Sequence, residues 1–181
     1  MLKHLVLAGF LGVTPALADG IGNIGGYDAN KPVTLGAAAS SHSASQALGG
    51  WQKINLFRGT AQPSGILATV SLGSQSGLTG AVTLYMLRAA PTAGSTCLDG
   101  QAFVLAQADF LNFAIAPQVL TPVALQGVTQ TFVQQSPAWA SPVGNNDSSP
   151  TTYAYVCVVA NGTIVPATTT DLWIMLSLAQ D

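Results

Sequence analysis

From position 51 onward, apolar and polar residues alternate in short runs broken by Gly, Pro, Asn and Ser. That is the period-two pattern of half-buried β-strands. It predicts strands at 51–57, 65–72, 81–87, 119–125, 129–133, 151–160 and 171–178, with a short apolar piece at 102–105 and one helical turn at 108–113. In the second strand Ile66, Ala68, Val70 and Leu72 share a face; in the third Val82, Leu84 and Met86 alternate with Thr83 and Tyr85. The run 151–160 has two apolar faces, Tyr153, Tyr155, Cys157 and Val159 on one and Ala154, Val156 and Val158 on the other. Such a strand belongs at the centre of a sheet covered on both sides. The last run sets Leu172, Ile174, Leu176 and Leu178 toward the core. Asn161-Gly162 is a tight-turn pair. Strands at this spacing, with almost no helical periodicity, predict an all-β chain, a jelly-roll-like β-sandwich.

The first fifty residues read differently. From 19 to 50 the chain is rich in Gly, Ala and Ser without a clear period, which suggests an extended arm with room for one short strand at 32–35. The expected organisation is an N-terminal arm over 1–50 and a sandwich domain over 51–181. Residues 1–18 have the layout of a secretory signal: Lys3 and His4, an apolar run from Leu5 to Val13, then Ala16-Leu17-Ala18 before Asp19. An apolar arm docking on a neighbouring subunit would have the same composition, and the sequence leaves both readings open.

Charge narrows the function classes. Only 12 of the 181 residues are charged, none of them Glu, and the net charge is −2. Lys3, Lys31, Lys53, Arg58 and Arg88 are scattered, so the basic footprint of a nucleic-acid binder is missing. No apolar stretch approaches the roughly 18 residues that span a bilayer. So few ionisable groups point to a structural or binding protein, not an enzyme. No catalytic, cofactor-binding or metal-ligating set is expected, and weak self-repulsion favours assembly.

The individual motifs agree. Gly20 to Gly25 fits G-x-G-x-x-G but has no preceding strand or following helix. Gly73-Ser74-Gln75-Ser76-Gly77 has Gln where a nucleophile elbow needs Ser, and of the two histidines that could serve as a base, His4 lies in the signal-like segment and His42 in a Ser/Ala stretch. Asp99, Asp109, Asp147 and Asp171 all fall beside turns or strand ends, where Asp commonly caps backbone N–H groups. Asn146-Asp147-Ser148 and Asn161-Gly162-Thr163 fit the N-glycosylation sequon, which matters only in a eukaryotic secretory route. Cys97 and Cys157, sixty positions apart, are either one disulfide or two buried thiols. The polar stretch 139–150 is a candidate contact loop. Trp51, Trp139, Asn145 and Asn146 are the candidate interface residues, and Trp173 is expected to fill the core.

The run from Val82 to Asp109 is the most distinctive. It reads Val-Thr-Leu-Tyr-Met-Leu-Arg-Ala-Ala-Pro-Thr-Ala-Gly-Ser-Thr, then Leu98-Asp99-Gly100-Gln101-Ala102-Phe103, then Leu105-Ala106-Gln107-Ala108-Asp109. It resembles a group of tailed-bacteriophage virion proteins with a jelly-roll or sandwich domain. Leu56-Phe57-Arg58 with Ser64-Gly65-Ile66, the strand from Tyr153 to Gly162, and Thr168-Thr169-Thr170-Asp171-Leu172 are similar too. The resemblance covers 51–181 and departs at the signal-like N-terminus, at Arg88 and at Cys97. It implies a capsid decoration (cement) protein or head-fibre base at the capsid surface. Its partners would be the major capsid protein and copies of itself; trimers are the commonest arrangement in that group, and monomers and dimers also occur there. The alternatives are a phage tail or receptor-binding component, and an exported bacterial sandwich of the adhesin or pilus type, secreted or periplasmic, cleaved after Ala18.

Overall fold

A computed structural model of the chain describes residues 32–58, 64–78, 80–124, 131–135, 141–144 and 151–180. Ten strands and one short 3-10 helix make up its regular structure: β1 Val33–Thr34, β2 Gln52–Arg58, β3 Ser64–Ser74, β4 Val82–Leu87, the 3-10 helix Gln107–Asn112, β5 Gln118–Leu120, β6 Val123–Ala124, β7 Thr131–Gln135, β8 Ser141–Gly144, β9 Thr151–Ala160 and β10 Leu172–Gln180. They form two antiparallel sheets. One runs β1-β10-β3-β7-β6, with β8 also on β3; the other runs β2-β9-β4-β5. The inner faces meet in one core, with Val70, Leu72, Leu172, Ile174 and Leu176 from the first sheet and Ile54, Leu56, Leu84, Met86, Val156 and Val158 from the second. The chain is an all-β sandwich.

β9 lies between β2 and β4, as its two apolar faces require. Ala154, Val156, Val158 and Ala160 enter the core, whereas Cys157 and Val159 belong to a second buried cluster on the sheet's outer side. The alternation in β3 is interrupted. Ser177 pairs with Thr69 but Leu178 pairs with Leu67, so Ala68 is the extra residue of a bulge. Leu67 is therefore buried with Val70 and Leu72, and Ala68 does not share their face. The run 119–125 divides at Thr121-Pro122: β5 pairs with β4, and β6 pairs with β7 in the opposite sheet. Proline removes a ladder donor, so the chain changes sheets there. Within the stretch read as a polar loop, Ser141–Gly144 pairs with β3, its Pro142 opposite Ile66 on a strand that β3 borders on one side.

Residues 33–50 are part of the body, not of an arm. Leu35, Ala37, Ala47 and Leu48 are buried. Main-chain bonds run from Leu35 N to Leu172 O, from Leu48 N to Val158 O, and both ways between His42 and Ile164. The small residues that resemble a linker's composition are those that let a backbone lie flat on the sandwich. Gly49 illustrates the need: its φ is +81° and a Cβ there would sit 1.9 Å from Leu35 O.

Candidate interaction surface

The feature that stands out on this sandwich is the connection from β4 to β5, residues 88–117. Long connections in compact domains are commonly functional. This one folds back over the outer face of the four-stranded sheet. Cys97 on it is bonded to Cys157 on β9, with sulfurs 1.99 Å apart. Of the two states the sequence leaves open for these cysteines, the structure has the disulfide. Ala47, Cys97, Cys157 and Val159 are buried together, with Trp51, Tyr85 and Phe103 packed around them. At the connection's far end Arg88 N donates to Asn112 O, and the Arg88 guanidinium donates to Phe113 O through Nη2 at 2.7 Å.

Three aspartates fix the loops. Asp99 accepts from Gly49 N (2.7 Å), Ala38 N (2.9 Å) and the His42 ring at Nε2 (2.9 Å), and so ties the strap 33–50 to the β4–β5 connection. His42 is fully buried, and its Nδ1 faces Ser40 O at 2.9 Å. Both ring nitrogens thus lie within hydrogen-bond distance of an oxygen. Asp109, on the 3-10 helix and fully buried, accepts from Thr92 N and Oγ1, both at 3.0 Å, and from Ser95 Oγ. Ser95 Oγ in turn accepts from Ala106 N. Asp171, just before β10, accepts from Ser74 Oγ, Gln75 N, Ser76 N, Ser76 Oγ and Ala167 N, joining the end of β3 to the start of β10.

Burial pushes each of these carboxyls up, but the hydrogen bonds they accept outweigh it, so all three titrate below the ordinary 3.8. A carboxyl with a lower pKa folded than unfolded stabilises the fold above the unfolded value, and that contribution is lost as pH falls through the folded value. Melting temperature is therefore expected to change little from pH 7 to 5 and to drop by at least several degrees between pH 4 and 2. A flat profile through that window would mean the three carboxylates do not hold the loops.

Each of these carboxylates accepts several hydrogen bonds that join loops of the body. Among the described residues no three His, Cys, Asp or Glu side chains are grouped as a metal ion would require. What the surface offers is apolar. A row of ring contacts crosses the outer face of the four-stranded sheet: Trp51 to Phe103 (6.1 Å between centroids), Phe103 to Tyr85 (4.4 Å), Tyr85 to Phe113 (6.5 Å) and Phe113 to Phe110 (5.9 Å). Beside it the Lys53 ammonium lies 3.8 Å from the Tyr153 ring centroid. The row ends on the 3-10 helix, where Phe110 is 57 % and Leu111 91 % exposed. Leu98 and Val104, on the same connection, are also exposed.

Of the candidate interface residues, Trp51 is half-buried at one end of this row; Trp139, Asn145 and Asn146 lie outside the described residues, as do residues 1–18. Trp173 is on the outer face of its sheet and not in the core; its ring covers Gly73, where a Cβ would fall 2.1 Å from the indole. Phe110 and Leu111 were not legible as surface residues, because a period-3 turn of apolar character looks like core. The signal was the polar company of Leu111, flanked by Gln107, Asp109 and Asn112. No helix among the described residues is long and apolar enough to cross a membrane. In comparisons with known proteins, the chain matches no family model, no curated protein and no solved structure.

Proposed function

We propose that the protein is a structural subunit that works by docking onto a larger protein assembly, specifically a decoration (cement) protein on the capsid surface of a tailed phage. The observation that carries the reading is the exposed apolar end of the β4–β5 connection, Phe110 and Leu111, held on a lobe pinned by a disulfide and by Asp99 and Asp109. Large exposed apolar side chains on a braced lobe are suited to protein contact, since little ordering entropy remains to be lost on binding. The same connection carries most of the run from Val82 to Asp109, the most distinctive part of the resemblance to the phage virion group. Its partners are the major capsid protein and copies of itself. Repetition over a symmetric shell would multiply modest contacts by avidity.

A second reading has one observation in its favour. The Cys97–Cys157 bond fits an oxidising location, and with the signal-like 1–18 it fits an exported bacterial sandwich of the adhesin or pilus type. Virion surfaces are equally oxidising, so the bond alone does not choose.

Leu111→Asp tests the docking surface. The side chain is almost wholly exposed, so the change is expected to leave stability within about 0.5 kcal/mol. Binding to particles should weaken by about tenfold or more, measured by co-sedimentation of added protein with shells that lack it. Unchanged binding by both Leu111→Asp and Phe110→Asp would remove this face from the account.

A further inference from the structure

Among the described residues two pairs have the sequence that closes most readily into a cyclic imide, an Asp or Asn followed by Gly: Asp99-Gly100 and Asn161-Gly162. Glycine matters because no Cβ hinders its nitrogen as it approaches the side-chain carbonyl carbon. The fold treats the two pairs in opposite ways. Asp99 accepts from Gly49 N, Ala38 N and the His42 ring, so both of its oxygens are held. Gly100 N is engaged as well, donating to Ala47 O at 3.0 Å. Neither reacting group can turn toward the other without breaking the tie between the strap 33–50 and the β4–β5 connection.

Asn161-Gly162 is open. The pair lies just past the end of β9, outside the ladder, and Asn161 is exposed. Neither residue has a φ in the left-handed region, and a Cβ placed on Gly162 would meet nothing within 4 Å. The main chain around the pair is fixed: Asn161 N donates to Ala81 O, Ala160 N donates to Gln46 O, and Ile164 exchanges bonds with His42. The side chain is positioned by Thr83, whose Oγ1 donates to Asn161 Oδ1 at 2.9 Å. That bond makes Cγ more electrophilic. It also sets a donor in place for the charge that develops on Oδ1 when Cγ is attacked.

We propose that Asn161 is a self-modification site, converted to aspartate and isoaspartate by attack of Gly162 N on its own side chain, with Thr83 as the positioning residue. Gly162 N, its proton taken by hydroxide, forms a bond to Asn161 Cγ. The Cγ–Nδ2 bond then breaks, and ammonia leaves with a proton from water. Water adds to either carbonyl of the resulting five-membered imide. One opening gives aspartate; the other gives isoaspartate, with the main chain rerouted through Cγ. The balance is one water in and one ammonia out, with no oxidant and no enzyme. The product adds one negative charge to a chain whose net charge is −2. It places that charge beside Thr83, whose strand partner Val119 is exposed. The inference is independent of the capsid reading.

Peptide mapping of the full chain, held at mildly alkaline pH both folded and unfolded in guanidinium chloride, tests it. In the folded chain aspartate and isoaspartate should accumulate at position 161. Unfolding should speed that reaction by less than about threefold, but speed isoaspartate formation at Asp99 by about tenfold or more, because only Asp99 must open locally to react. Gly162→Ala should slow the folded reaction by about tenfold or more. Thr83→Val should slow it by about threefold, the worth of one exposed hydrogen bond, and Thr83→Ser, which keeps the donor, should restore the parent rate. Urea midpoints report that each variant is folded. Three results would overturn the proposal: asparagine persisting at 161 in the folded chain while the unfolded chain reacts, equal acceleration of positions 99 and 161 on unfolding, or a Thr83→Val rate at or above the parent's.

Discussion

Replacing Cys97 and Cys157 together by alanine is expected to lower the stability of the folded chain by about 4 kcal/mol, the chain-entropy value for a loop of this length. The bond closes a sequence separation of 60 residues, about a third of the 181-residue chain. It also joins two elements with no ladder between them, since Cys97 lies on the β4–β5 connection and Cys157 on the outer face of β9. The alanines leave small gaps in a cluster already lined by Ala47, Val159, Tyr85 and Phe103, so the loss comes mainly through the unfolded state. Equilibrium urea unfolding of the oxidised protein beside the double variant reads the difference directly. A change below about 1 kcal/mol would mean the bond is not formed in the native protein. The core beneath the four-stranded sheet is expected to persist in the variant, and the β4–β5 lobe to open first.

The second large effect belongs to Asp171. Five donors converge on its two oxygens, from Ser74, Gln75, Ser76 and Ala167, in a residue that is itself buried. Asp171→Ala leaves those donors short of an acceptor at the junction of β3 and β10, the two longest-paired strands of the sandwich. A loss of about 3–5 kcal/mol is expected, the range for breaking a buried charged cluster from one side. Asp171→Asn keeps the shape but turns a donor toward donors, and is expected to cost roughly half as much. Urea midpoints of the two variants give the comparison. If alanine and asparagine both fell within about 0.5 kcal/mol of the parent, the carboxylate would have no structural role.

Much of this was legible in the alternation of the chain. β2, β4, β9 and β10 lie within a residue or two of where period-two patterning places them, because each has one face in a common core. The two apolar faces of β9 announced a second buried layer, although nothing in the sequence said that a disulfide-bonded loop would form it. Three things were hidden. The bulge at Ala68 flips the face of β3, and a register shift depends on the partner strand, not on the strand's own residues. The strap 33–50 resembles a linker because close backbone packing and flexibility both select Gly, Ala and Ser. Its anchors, Asp99 and His42, lie 57 positions apart, a distance over which local pattern is silent. The roles of Asp99, Asp109 and Asp171 were visible in kind, as residues beside turns, but not in partner. Leu111 was missed because period alone cannot tell an apolar residue facing the core from one facing a partner.

The measurement that separates a docked structural subunit from a free exported protein is density-gradient fractionation of native material, with intact-mass analysis of the chain in each fraction. The docking account predicts the protein in the particle band, oxidised at Cys97 and Cys157 and still carrying residues 1–18. A chain beginning at Asp19 and found only outside the particles would contradict it and make the molecule an exported sandwich protein.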